Sequence, residues 1–149
     1  MKIFIGADHR GFELKAEIAA YLAKRNYPVE DVGNDVYDKD DDFPQFATMA
    51  ALKVIGSSDD DSRAILLCGG GQGMAMAANR YNGIRAVVIS TTEAAKTSRQ
   101  ENDANILSLP ADLYDDNDDW QPIVDAFLTT PFSGKKRYVR RNKQLDELS

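Results

Sequence analysis

The residues with chemistry to offer are few, and most sit at the ends of apolar runs. Cys68 is the chain's one cysteine and His9 its one histidine. Cys68 closes the most apolar run, Ala64-Ile65-Leu66-Leu67-Cys68, and leads directly into Gly69-Gly70-Gly71-Gln72-Gly73. Glycine lets the backbone turn sharply and lets a ligand approach main-chain N–H groups. Those N–H groups, with the positive end of a following helix, suit an anion or a developing oxyanion. The same field would favour a thiolate at Cys68. Position alone leaves two readings equally open: a reactive thiol at the lip of an anion cradle, or a small buried hydrophobe beside a tight turn. Familiar loops do not fit. A Walker A loop requires Gly-Lys-Ser/Thr, whereas Gly73 is followed by Met74. A dinucleotide fingerprint would place its third glycine at Met74, and a cysteine phosphatase loop would need arginine there.

Asp8-His9-Arg10 follows the apolar opening Ile3-Phe4-Ile5-Gly6-Ala7. Asp8 taken alone reads as a helix N-cap, and Arg10 adds a cation to the same place. Glu101-Asn102-Asp103 reads as a polar turn. The tail carries Lys135, Lys136, Arg137, Arg140, Arg141 and Lys143, six cations within nine residues of a chain whose formal net charge is −6. Alone it reads as a solvated face, yet that concentration also suits a phosphate.

These groups need elements to hold them. Short apolar runs alternate with helical patterns, the rhythm of an α/β domain with a mainly parallel sheet. Strands are expected at 2–7, 29–32, 64–68, 84–89 and 106–109, with helices near 11–26, 44–55, 74–79, 92–100 and 120–128. The basic tail from Ser133 has little apolar surface and is expected to form one further helix. No repeat or linker divides the chain, so residues 1–149 read as one domain. Ligands in such folds bind beyond the carboxyl ends of the strands, which points to Asp8-His9-Arg10, to Cys68–Gly73 and to Ser90–Thr92.

Composition excludes several classes. One cysteine allows no internal disulfide and no thiolate-cage zinc site. The acidic balance and the lack of interleaved aromatics beyond Tyr138 argue against nucleic acid and anionic membrane as partners. The opening MKIFIGADH does not have the form of a signal peptide, and no apolar run would span a bilayer, so a soluble cytoplasmic protein is expected.

Together these segments resemble the ribose-5-phosphate isomerase B / galactose-6-phosphate isomerase family. GADHRGFELK is similar to its opening, and ILLCGGGQGMAMAANR to its Cys-Gly-Thr-Gly-x-Gly segment with the helix behind it. GIRAVV, SRQENDANIL and IVDAFL follow in the same order, so the resemblance runs from Met1 to about Arg141. It implies a three-layer Rossmann-like α/β fold with a five-stranded, mainly parallel sheet and a C-terminal helical tail. It also implies aldose–ketose isomerisation of a phosphorylated sugar through an enediolate, with no metal or organic cofactor. In those terms Cys68 moves the proton between C1 and C2, and N–H groups of Gly69, Gly70, Gly71 and Gly73 hold the enediolate oxygen with support from Asn102. Asp8 assists ring opening or positions a hydroxyl, and His9 contacts the phosphate beside Arg10. The resemblance further implies a homodimer, with tetramers open, in which Lys136 and Arg140 from the tail (about 133–149) complete the partner's site.

The departures from the family pattern are specific. Gly70 stands where the family has threonine, Glu101 where it has the ring-opening histidine, Phe43 where tyrosine is common, and Asp112 where a phosphate-binding arginine is usual. Glu101 could act as acid or base if burial raises its pKa. A carboxylate near a phosphate is costly unless it turns away or Arg10 compensates it. An active isomerase is the leading expectation. A non-catalytic sugar-phosphate- or nucleotide-binding module on the same fold is the alternative.

Overall fold

The computed structural model describes residues 1–148. In chain order the elements are β1 (Ile3–Ala7), α1 (Phe12–Lys24), β2 (Val29–Gly33), α2 (Phe43–Gly56), β3 (Arg63–Cys68), α3 (Gln72–Ala78), β4 (Ala86–Val88), α4 (Thr92–Asn102), β5 (Ile106–Pro110), α5 (Trp120–Thr129) and α6 (Lys136–Asp146). Short 3₁₀ turns at His9–Gly11 and Ala111–Leu113 follow β1 and β5. The five strands are parallel and lie in the order β2-β1-β3-β5-β4.

Side chains of a strand alternate between faces, and β3 shows how that alternation builds the layers. Ile65 and Leu67 enter one apolar cluster with Leu14, Ile18 and Leu22 of α1 and Trp120, Ile123, Val124 and Phe127 of α5. Ala64, Leu66 and Cys68 enter the other, with Phe46, Ala47, Ala50 and Ala51 of α2 and Met74, Ala75 and Ala78 of α3. Burying each large aliphatic side chain contributes about 1.5–3 kcal/mol, so the continuously apolar β3 belongs at the sheet centre. Half of that second cluster is alanine, small side chains that suit the close packing of α2 and α3 on the sheet and on each other.

The strand order places the crevice. The connection from β1 leads outward to β2, whereas that from β3 leads to the opposite half of the sheet. Ligand sites in open parallel sheets form where connections diverge in this way. Here Ala7 pairs with Leu67, and the Asp8 N–H donates to the Leu67 carbonyl at 3.2 Å, so the residues after β1 and β3 lie side by side.

Two sequence expectations are corrected in detail. The strand expected over 84–89 pairs only over Ala86–Val88, because the Ile84 N–H turns back to Tyr81 and the Arg85 N–H is taken by the Asn105 side chain at 2.8 Å. The tail does form a helix, α6, but Asn142 is its one buried residue. It is held by polar contacts: Tyr138 Oη donates to Glu101 Oε1 at 3.1 Å, Asn142 Nδ2 to the Glu101 carbonyl at 3.1 Å, and Arg85 grips Asp146 at 2.8 and 2.9 Å.

Candidate active site

Asp8 sits on the 3₁₀ turn that brings α1 back over β3. A Cβ at Gly11 would lie 2.6 Å from the Leu67 Cβ, so only glycine allows this turn to rest on the strand. Asp8 Oδ1 accepts the N–H groups of Arg10 and Gly11 at 3.0 and 3.4 Å, which makes it the cap that position suggests. No described donor bonds its Oδ2. Burial holds the carboxyl above its ordinary pKa, against the lowering effect of those N–H bonds and of His9. A carboxyl so placed keeps a proton more readily than a solvated aspartate.

Cys68 ends β3 opposite Pro110 and is 7% exposed, packed in the α2–α3 cluster. The glycine loop begins with the next residue. Gly71 has φ +80°, and its carbonyl accepts the Ser108 hydroxyl at 2.6 Å. Gly69 lies under the Arg10 guanidinium, which fills the place a side chain would take. A Cβ at Gly73 would stand 2.7 Å from the Phe43 ring at the start of α2. The loop is therefore clamped between Arg10 and Phe43, and its lack of side chains is what admits both.

Arg10 also ion-pairs with Asp112, whose N–H donates to the Gly69 carbonyl at 3.1 Å. The carboxylate expected to be costly at the mouth is thus balanced by Arg10, and Arg10 is correspondingly committed to it. His9 donates from its backbone N–H to Asp41 Oδ1 at 3.0 Å and from Nδ1 to the same oxygen at 2.7 Å. That hydrogen bond holds the imidazole above its ordinary pKa, with Asp8 adding to the effect, against burial and Arg10. Beside the mouth a cavity of about 230 Å³ is lined by His9, Arg10, Glu13, Tyr37, Tyr114 and Asp115, among others. The ligand atoms of Asp8, His9 and Asp41 lie within 4.8 Å of one another, the one such group among the described residues. Two of those residues are already joined by the 2.7 Å hydrogen bond.

Glu101 and Asn102 are elsewhere. α4 runs back from the carboxyl end of β4 to the amino end of β5, so its last residues lie at the opposite edge of the sheet from Cys68. The length of β5 separates the two levels, about 15 Å at ~3.3 Å per residue. Asn102 O accepts Arg85 Nε at 2.8 Å, and Glu101 is engaged by Tyr138 and Asn142 of α6. One chain therefore unites Asp8, His9, Arg10, Phe43, Cys68 and the glycine loop, but not Glu101, Asn102, Lys136 or Arg140. Lys136 and Arg140 are exposed on α6, the helix that holds Glu101. Asp41 was missed because it lies inside the acidic run 38–42, where nothing in the pattern marks one carboxylate from the next.

The parallel α/β fold thus gathers a thiol, a buried carboxyl held above its ordinary pKa and a glycine loop free of side chains at one crevice. Residues 3–145 match the Ribose/Galactose Isomerase family model, and the chain belongs to that family. It is 40% identical over 139 residues to ribose-5-phosphate isomerase B of Escherichia coli, covering 93% of this chain and 91% of that one. The crystal structure of ribose-5-phosphate isomerase B from Mycoplasma genitalium with bound ribulose 5-phosphate is similar at 37% identity and a TM-score of 0.89, over 97% of this chain and 93% of that one. A 4-deoxy-4-sulfo-D-erythrose isomerase from a Clostridium species is 43% identical over 109 residues, 73% of this chain and 67% of its own. The activity class is aldose–ketose isomerisation of a sugar phosphate.

Proposed function

We propose that the chain interconverts ribose 5-phosphate and ribulose 5-phosphate, or a closely related pentose or hexose phosphate, by proton transfer through an enediolate. The observation that carries this reading is that the ends of β1 and β3 lie side by side, the Asp8 N–H bonding the Leu67 carbonyl at 3.2 Å, with Cys68 next in the chain at the start of the glycine loop. Cys68 as thiolate takes the C2 proton of the open-chain aldose, and the electron pair moves to form the enediolate. Loop N–H groups hold the developing oxygen charge, an effect typically of ~10²–10³ in rate per donor. The thiol then returns the proton to C1, and the hydroxyl proton passes from O2 to O1. Gly70 supplies no hydroxyl for that last transfer. Asp8, whose burial favours its protonated form, can give and take the proton instead.

The remaining groups enter through a homodimer in which the amino-end region of one subunit meets the carboxyl-end crevice of the other. In that arrangement the partner subunit's Glu101 takes part in ring opening, and the partner subunit's Asn102 supports the cradle. The partner subunit's Lys136 and Arg140 meet the phosphate with His9. Two features support the pairing: a polar helix with one buried residue has no evident purpose on an isolated chain, and Val88, Leu145 and Leu148 are exposed.

A second reading widens the substrate class to sugars with a sulfonate end. It is favoured by the Arg10–Asp112 pair, which leaves the mouth less positive than a phosphate dianion requires, and by the name of the Clostridium relative. A sulfonate carries one charge, and each unit of like charge at ~4 Å costs between about 1 and 4 kcal/mol from bulk water to a protein surface.

The test is proton NMR in deuterated water with aldose and ketose phosphates and their sulfonate counterparts. Deuterium entering at C1 or C2 of a pentose phosphate supports the first reading. Faster exchange in the sulfonate supports the second, and no exchange in any sugar would sink both.

A further inference from the structure

The loop between β2 and α2 places one carboxylate, Asp41, directly behind His9, and the surrounding bonds show that this placement is built. The Asp41 side chain is 4% exposed although it lies in an acidic run whose other members are mostly in solvent. Its Oδ1 accepts both the backbone N–H and Nδ1–H of His9, at 3.0 and 2.7 Å. Its Oδ2 accepts Asn34 Nδ2 at 2.6 Å. Asn34 is tethered in turn: its carbonyl accepts Lys15 Nζ at 2.5 Å, and that same ammonium, 4% exposed, bonds Asp31 on β2. A chain of contacts thus runs from the core of α1 through Lys15, Asn34 and Asp41 to the imidazole. The Tyr37 ring stands edge-on to His9, with the ring centroids 6.4 Å apart.

We propose that Asp41 is a positioning residue for substrate binding, fixing the His9 ring so that Nδ1–H is occupied and Nε2 is presented to the anionic end of the sugar. This rests on the reading that His9 meets that end. The two bonds from Asp41 set the ring's orientation and its tautomer together, since Nδ1 must carry hydrogen to make the second of them. A fixed ring loses little freedom when the anion binds, and a charged one bonds it more strongly than a neutral one. The other groups that face His9 or line its cavity are Asp8 and Arg10 on its own turn, Tyr37 in the same loop as Asp41, Glu13 and Glu17 on α1, and Tyr114 and Asp115 after β5. Asp41 differs from all of them in bonding the ring directly.

His9 is the chain's one histidine, so its imidazole can be followed by NMR without assignment of any other. In D41N the acceptor oxygen remains but the charge does not. The His9 titration is then expected to move to lower pH than in the parent. KM is expected to rise about tenfold, the scale of one charge-assisted hydrogen bond, with kcat changed less. The alkaline rise in KM should begin at correspondingly lower pH. N34S, which removes only the second anchor of Asp41, should shift the titration in the same direction by less, and it covers the case in which D41N does not fold. A His9 titration and a KM profile unchanged in folded D41N overturn the proposal. The NMR arm needs no substrate: a shifted titration in a protein that turns over no sugar leaves Asp41 as the residue that sets His9 and sinks only the assigned activity.

Discussion

The proposed site draws on both ends of the sheet, and the two ends are built on opposite principles. At the carboxyl end, Asp8, Cys68 and the glycine loop hang from central strands whose side chains are fully buried, and each turn is fixed by a close backbone approach. At the amino end, Glu101 and Asn102 finish a surface helix, and the cations of α6 stand on a helix with one buried residue. The first region has its geometry set by the core. The second has little apolar anchorage on its own chain, so its geometry on this reading is completed by another copy. A site divided in this way makes activity depend on assembly.

The sharpest way to break that comparison is to damage each end on a different subunit. C68A should lower kcat by about 10²–10⁴, the usual range for a general base, with the fold retained. The double variant K136A/R140A should raise KM by about 100-fold through loss of charge-assisted bonds. Co-expressed, the two should form mixed dimers with one intact pair of half-sites, and turnover at low substrate should exceed that of either variant alone. Full activity in K136A/R140A would remove the tail from the site.

A smaller effect compares backbone strain at the two ends. Gly71 has φ +80° and would crowd Val88 at 3.1 Å, whereas Gly134, just before α6, has φ +68° with nothing within 4 Å. Alanine at Gly134 should cost about 1 kcal/mol from strain alone, and alanine at Gly71 about 2 kcal/mol or more. Thermal melts of the two variants test the order. Equal losses would mean that the glycine loop relaxes as freely as the segment before α6.

The smallest expected effect is on pH dependence. Burial holds the Asp8 carboxyl above its ordinary value of 3.8 in the folded chain, so the folded state binds the proton more tightly than the unfolded state does. Stability therefore falls as pH rises from that ordinary value through the native one, and then levels off. D8N removes this decline, so the melting temperature of D8N minus that of the parent should rise with pH over that window while activity is lost. A difference that falls with pH would reverse the assigned direction.

Much of the carboxyl-end site was legible because the signals were local. A glycine run after an apolar strand reports a bare loop whatever surrounds it, and a residue that follows a strand in a parallel sheet lies at the carboxyl edge. Glu101 read only as part of a polar turn between a helix and a strand, and the family resemblance grouped it with Cys68; the structure sets it at the opposite end of the sheet, because α4 precedes β5 and ends where that strand begins. Asp41 was not legible. Its neighbours Asp38, Asp40 and Asp42 have the same chemistry, and only the course of the loop, tied down by Lys15 and Asn34, turns one of them inward.

The sequence by itself determined the order of elements, the two-faced core and the chemical types at each strand end. Apolar periodicity and glycine placement act over a few residues and need no distant partner. The tertiary structure alone decided which polar groups meet. Arg10 with Asp112 and His9 with Asp41 lie 102 and 32 residues apart along the chain. A charged side chain on an exposed turn has many partners of similar energy, and only the packing of the elements beneath it selects one.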